Sequence, residues 1–163
     1  MKTLIIYATK HGSTKKCADF LKDRLDGEIT VVNIKNDFDI NLKQFDKIII
    51  GGSIYIGKIQ NEITEFSNKN IDILCTKKVG LFICGMNNSA EIEINNAFPK
   101  MLLEHALIRE CFGGEFIFKT MNVFERFIVR TVSKSNKDIS KISEEKINNF
   151  AEVMNDKITN IPK

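Results

Sequence analysis

Apolar and polar positions along this chain follow two rhythms. Short apolar runs, Leu4-Ile5-Ile6-Tyr7-Ala8, Lys47-Ile48-Ile49-Ile50-Gly51-Gly52 and Val79-Gly80-Leu81-Phe82-Ile83-Cys84-Gly85, read as strands covered on both faces. Between them the apolar residues fall at helical spacing. Cys17, Ala18, Leu21 and Leu25 follow the first run, Ile59, Ile63 and Phe66 lie between Lys58 and Asn70, and a helical stretch from Ser89 to His105 is kinked or divided at Pro99. Glu28 to Asn33 alternates after Gly27 like a strand near a sheet edge, Lys35 to Phe45 is polar and turn-rich, and Cys111 to Phe118 reads as a further strand. The last helix carries Ile147, Phe150, Ala151, Met154 and Ile158 on one face, as a sheet cover does. This alternation predicts an α/β fold, a doubly wound parallel sheet with helices on both faces.

In such a sheet ligands sit beyond the carboxyl ends of the strands, where strand order reverses. Three loops therefore carry the candidate chemistry. The first, Thr9-Lys10-His11-Gly12-Ser13-Thr14, is a strand-to-helix turn. It aims unpaired backbone N–H groups and the positive end of a helix dipole at one point, which suits a phosphate. Thr9, Ser13 and Thr14 add hydroxyls; the alternative is a capped helix after a polar loop. The second loop, Gly51 to Gly57, includes Ser53 and offers Ile54, Tyr55 or Ile56 to flank a flat ring system. Tyr55 is otherwise a surface aromatic. The third, Cys84-Gly85-Met86-Asn87-Asn88-Ser89, presents backbone groups and Asn87 for the polar edge of such a ring, or simply caps the next helix. Cys84 reads as a small buried hydrophobe.

Composition narrows the picture in a few respects. The chain has 163 residues, enough for one domain with a proper core, and a net charge of only +3, which gives no support for nucleic acid as a partner. Cys17, Cys75, Cys84 and Cys111 are scattered without a CxxC pair, and only two histidines are present, so no metal site is predicted. Free buried thiols suit a reducing cytoplasm. The apolar run at Met1 to Ala8 has no cleavage region after it, and no stretch is long enough to span a bilayer.

The segment from about 119 to 138 stands apart. Val123, Phe124, Phe127, Ile128, Thr131 and Val132 form one helical stripe and Arg126, Arg130 and Lys134 another, with five basic residues against two acidic ones. A basic amphipathic helix of this kind lies on an anionic membrane or docks an apolar partner, unless its stripe packs on the sheet.

The first loop resembles the phosphate loop of flavodoxins, Thr/Ser-x-Thr-Gly-x-Thr, with His11 where the family has a hydroxyl residue. With Met1-Lys2-Thr3-Leu4-Ile5-Ile6, Ile50 to Gly57 and Phe124-Glu125-Arg126-Phe127-Ile128, nearly the whole chain resembles the flavodoxin-like, menaquinone-dependent protoporphyrinogen oxidases. That resemblance implies a single domain over 1–163 with a five-stranded flavodoxin-like sheet that binds FMN, and a basic insertion where long flavodoxins split the last strand. Thr9, His11, Gly12, Ser13 and Thr14 would hold the phosphate, while Ser53, Ile54, Tyr55, Ile56, Gly57, Cys84, Gly85, Met86 and Asn87 would surround the ring. Two activities follow from it: an oxidoreductase passing electrons from a large apolar donor to a quinone, or a plain flavodoxin carrying electrons between proteins. The mild basicity favours the first, since flavodoxin carriers are strongly acidic. Lys58 beside the reduced flavin would raise its potential. The expected location is cytoplasmic, or peripheral at the inner membrane face through Val123, Phe124, Arg126, Phe127, Ile128 and Arg130.

Overall fold

A strand buried on both faces has no polar face to turn outward, and the continuously apolar runs sit where that requirement places them. A computed structural model of the chain describes residues 1–36, 40–86, 89–116 and 139–158. In it β1 (Lys2–Ala8), β2 (Glu28–Asn33), β3 (Lys47–Ser53), β4 (Lys78–Cys84) and β5 (Ile108–Cys111) form one sheet in the order β2-β1-β3-β4-β5, every neighbouring pair parallel. The runs of β1, β3 and β4 are central, and the alternating β2 is an edge, as its pattern predicts.

Because successive side chains of a strand point to opposite faces, the sheet builds two cores. On one face Leu4, Ile6, Ile48, Ile50, Leu81 and Ile83 meet Ile63 of α2 (Asn61–Lys69), Leu74 of α3 (Ile71–Leu74), Ile94 of α4 (Ala90–Ala97) and Leu102 of α5 (Lys100–His105). On the other, Ile5, Tyr7, Ile49 and Phe82 meet Cys17 and Leu21 of α1 (Ser13–Lys22) and Ile147, Phe150 and Met154 of α6 (Glu144–Met154). Phe82 stacks on Phe112 with ring centroids 4.9 Å apart, and Phe150 stands edge-on to Phe112 at 5.3 Å. Gly51 makes room for this cluster: a Cβ there would lie 2.1 Å from the Phe82 ring.

Two boundaries differ from the sequence pattern, and at Pro99 one of the two expected outcomes is realised. Pro99 divides the stretch after Ser89 outright, capping α5 after α4 has ended at Ala97. The segment after Lys58 turns helical only at Asn61, because Tyr55 and Lys58 first close a turn with reciprocal backbone bonds of 2.8 and 3.2 Å. The fifth strand occupies Ile108–Cys111 rather than Cys111 to Phe118. Gly113, at φ +80, turns the chain out of the sheet with its Cα against the Lys141 carbonyl, a position closed to any side chain. Beyond it Glu115–Phe116 (β6) pairs antiparallel with Ile139–Ser140 (β7). The basic amphipathic segment lies between these two strands and outside the described residues, so its stripes carry no structural statement. No helix among the described residues is long and apolar enough to cross a membrane.

Below the sheet, α6 ends in a left-handed turn at Asp156 (φ +61), with Asp156 N–H donating to Val153 O and Lys157 N–H to Glu152 O. The Asp156 carboxylate receives Lys78 Nζ at 2.6 Å and the buried Lys47 Nζ at 3.0 Å, and Lys47 also donates to Met154 O. Helix and sheet are thereby tied at the amino ends of β3 and β4. Lys78 first, then Lys47, hold the Asp156 carboxyl below its ordinary pKa. A depressed native pKa means stability that is present above the unfolded carboxylate value, near 3.9, and lost as pH falls through the native one. Asp156→Asn keeps a residue that tolerates the left-handed turn and removes only the charge. It is expected to lower the melting temperature at pH 7 by about 2 to 4 °C, on the order of 1 kcal/mol because the carboxylate is partly exposed. The gap from the parent should close below pH 4 in a thermal-unfolding series; a constant gap would mean that the turn, not the charge, was lost.

Candidate functional site

The carboxyl ends of β1, β3 and β4 finish side by side, and the three loops leave from there. In the first, Gly12 caps α1 at φ +96, a left-handed conformation that turns the chain into the helix. Its N–H donates to Thr9 Oγ1 at 2.9 Å, so the Thr9 hydroxyl shapes the turn from within. Nothing lies within 4 Å of where a Gly12 Cβ would be. The turn is thus an open cradle above the first-turn N–H groups of α1, the donors a helix start leaves without intrahelical partners. Ser13 and Thr14 are both buried, and Thr14 Oγ1 lies beside the Cys84 thiol without a hydrogen bond. An open glycine, orphaned donors and an unsatisfied hydroxyl at one helix start fit a phosphate group.

The second loop meets the first through Tyr55. The Lys10 ammonium lies 3.2 Å from the Tyr55 ring centroid, and His11 stands edge-on to the same ring at 6.5 Å. Ile56 (φ +50) and Gly57 (φ +72) form the turn's tip. A β-branched residue in that region costs about 1 to 3 kcal/mol, which asparagine or glycine would largely avoid. Ile56 is also 75% exposed. At the loop's root Gln60 braces Ser53: it accepts the Ser53 N–H at 2.9 Å and donates to Ser53 O at 2.8 Å and to Ser53 Oγ at 2.6 Å.

The third loop is stitched to both neighbours. Ile54 N–H donates to Cys84 O at 2.7 Å, and Gly85 N–H donates to Gly113 O at 3.1 Å. Gly85 lies against Ile54 and the buried Glu93 carboxylate, with Glu93 Oε2 3.2 Å from its Cβ position. Met86 packs on Gly114. Asn87 is outside the described residues.

Among the described candidates, Thr9, His11, Gly12, Ser13, Thr14, Ser53, Ile54, Tyr55, Ile56, Gly57, Cys84, Gly85 and Met86 therefore all lie at one end of the sheet. They do not all face outward. The Cys84 side chain is sealed in the core, leaving only its backbone to the loop. Three participants escape a reading by loops alone: Gln60, Glu93 and the Gly113 carbonyl reach the site from a helix cap, a helix and a bend after β5. Lys10 lies inside the first loop, but its contact with the Tyr55 ring has no local signal. A cavity of about 810 Å³ along the outer edge of β5, lined by Leu107, Arg109 and Asn149 among others, contains none of the candidates.

Comparison with known proteins points the same way. The family described as flavodoxin domain matches residues 4–143. Protoporphyrinogen IX dehydrogenase [quinone] of Escherichia coli (strain K12) is 21% identical over 168 residues, covering 93% of this chain and 93% of that protein. The flavodoxin of Fusobacterium nucleatum, solved bound to flavin mononucleotide, superposes with TM-score 0.57 at 12% identity over 97% of this chain and 99% of that one. A short-chain flavodoxin associated with a non-canonical PDU bacterial microcompartment gives TM-score 0.62 at 14% identity over 96% and 98%. These likenesses show the fold.

The thiols on the inner side of the loops are chemically quiet. Burial, with the Cys17 thiol alongside, raises the Cys84 pKa well above its ordinary value, and burial also raises that of Cys111. Both stay protonated at mildly alkaline pH, where thiolate is the reactive form. Cys75, at the end of α3, is half-buried. With a disulfide reagent at pH 8, Cys75 is expected to react first, at least about tenfold faster than the other three, and all four should react together once the chain is unfolded. Equal native rates at Cys84 and Cys75 would contradict the packing of β4 against α1.

Proposed function

The chain belongs to the flavodoxin domain family, and from that premise we propose that it binds FMN at these three loops and passes electrons through it, as an oxidoreductase that resembles protoporphyrinogen oxidase and delivers them to a quinone. We propose a single FMN-binding domain over residues 1–163 with one inserted basic segment. The observation that carries the cofactor site is the open turn at Gly12, whose helix start offers unpaired donors. FMN supplies the redox chemistry. The chain supplies the seat: Gly12, Ser13 and Thr14 toward the phosphate, Tyr55 toward one face of the ring, and the backbone of Gly85 and Met86 toward its polar edge. The Ile54–Cys84 bond sets the spacing of the two ring loops, and the Gln60 brace keeps Ser53 in register with β4. None of these groups is a general base, so the donor would be chosen by contact at the ring's open edge.

The flavodoxin neighbours, aligned over nearly their full lengths, also support the plain carrier between protein partners. The two readings separate on one assay. Anaerobic oxidation of protoporphyrinogen with a menaquinone analogue should turn over with the FMN-loaded chain; bound FMN without turnover would leave the carrier.

Gly12→Val forces a side chain onto a left-handed backbone, and Thr14→Ala removes a hydroxyl from the helix start. Each is expected to weaken FMN binding by about 10- to 100-fold, the worth of one charge-assisted hydrogen bond, while Cys75→Ala leaves it unchanged. Equal affinity in all three, read by flavin fluorescence, would move the phosphate elsewhere. For the basic insertion we propose contact with an anionic membrane surface at the cytoplasmic side. Phe124→Glu with Phe127→Glu should lose most binding to anionic vesicles while keeping FMN; an unfolded double variant would place the stripe in the core instead.

A further inference from the structure

Glu93 carries a carboxylate at a position where a helix packing on a sheet takes an apolar side chain. The buried residues of α4 are Glu93, Ile94 and Ala97, and Glu93 is 6% exposed, whereas Glu91 on the same helix is open to solvent. Burial of a carboxylate costs stability even where hydrogen bonds offset part of it. The start of α4 lessens that cost, because Glu93 belongs to its first turn, at the positive end of the helix dipole. The carboxylate lies among the ends of three strands. Its Oε2 is 3.2 Å from the Gly85 Cβ position after β4, and the Ile54 Cβ, after β3, is 3.4 Å from the same point. Burial raises the pKa of the Cys111 thiol and the Glu93 charge adds to it, so the carboxylate also acts electrostatically on the end of β5.

We propose that Glu93 sets the redox potential of the bound cofactor: held behind Gly85, its charge opposes the negative charge that a flavin ring gains on reduction. The inference rests on the FMN site proposed above, in which the backbone of Gly85 and Met86 meets the polar edge of the ring. It assigns to that site a residue that none of the three loops contains. Uptake of two electrons and one proton by FMN adds one negative charge. A carboxylate fixed behind the ring's polar edge, away from water, therefore makes reduction harder and release of the electrons to an acceptor easier. Glutamine has the same shape and keeps an acceptor oxygen while removing the charge; aspartate keeps the charge on a shorter stem.

The test compares the FMN-loaded full chain with its Glu93→Gln, Glu93→Asp and Glu91→Gln variants. Flavin fluorescence gives the dissociation constant of oxidised FMN, and anaerobic dye-coupled reduction gives the two-electron midpoint potential. The potential of bound against free FMN is the affinity ratio of the oxidised and reduced forms. Glu93→Gln is expected to shift that ratio toward the reduced form by about 3- to 10-fold, a rise of about 14 to 30 mV for a two-electron couple. Glu93→Asp should stay at the parent potential even where both affinities fall, and the exposed Glu91→Gln should not move it. A residue that only braces the third loop would lower both affinities equally and leave the ratio alone. The parent potential in Glu93→Gln, or a Glu93→Gln chain that no longer folds, overturns the assignment and leaves the FMN site standing. A parent chain that binds no FMN overturns the site and the assignment together.

Discussion

Every strand of the main sheet runs the same way, and the rest of the structure follows from that constraint. Parallel neighbours need a crossover between them, the crossovers are helices, and helices on both faces seal the central strands from water. With β1, β3 and β4 sealed, their chain is free to present polar groups only where it leaves the sheet. The carboxyl ends of the three finish in register: Ala8 pairs with Gly52, and Ser53 with Cys84. The loops are therefore delivered to one place, and the Gly12 turn, the Tyr55 turn and the Gly85 backbone share a rim because their strands share an edge.

The two ends of the sheet are handled by opposite electrostatics. At the amino ends of β3 and β4, Lys47 and Lys78 share the Asp156 carboxylate and anchor α6, so charge there serves the fold. At the carboxyl ends the three loops contain no Asp or Glu, and Glu93 is buried behind Gly85. Lys16, in the first turn of α1, is neutralised by Glu115 of β6, which also accepts a hydrogen bond from Ser140 Oγ at 2.8 Å. That contact joins β6 to the helix that starts at Gly12.

The sequence by itself determined the fold class, the central and edge strands, and the three loops that carry the candidate site. It could do so because burial on both faces demands continuous apolar runs, an edge tolerates alternation, and a helix start after a buried strand has a local grammar of Gly, Ser and Thr. Tertiary structure decided what depends on distant partners. The fifth strand is shorter than its apolar pattern because Gly113 must turn out against Lys141, 28 residues away in sequence. Gln60 reads as a helix residue but braces Ser53, Cys84 turns its thiol inward to Cys17, and Lys10 crosses to the ring of Tyr55. Periodicity records how much of a residue is buried, while contacts between loops are set by the lateral order of the strands, and no local pattern encodes that order.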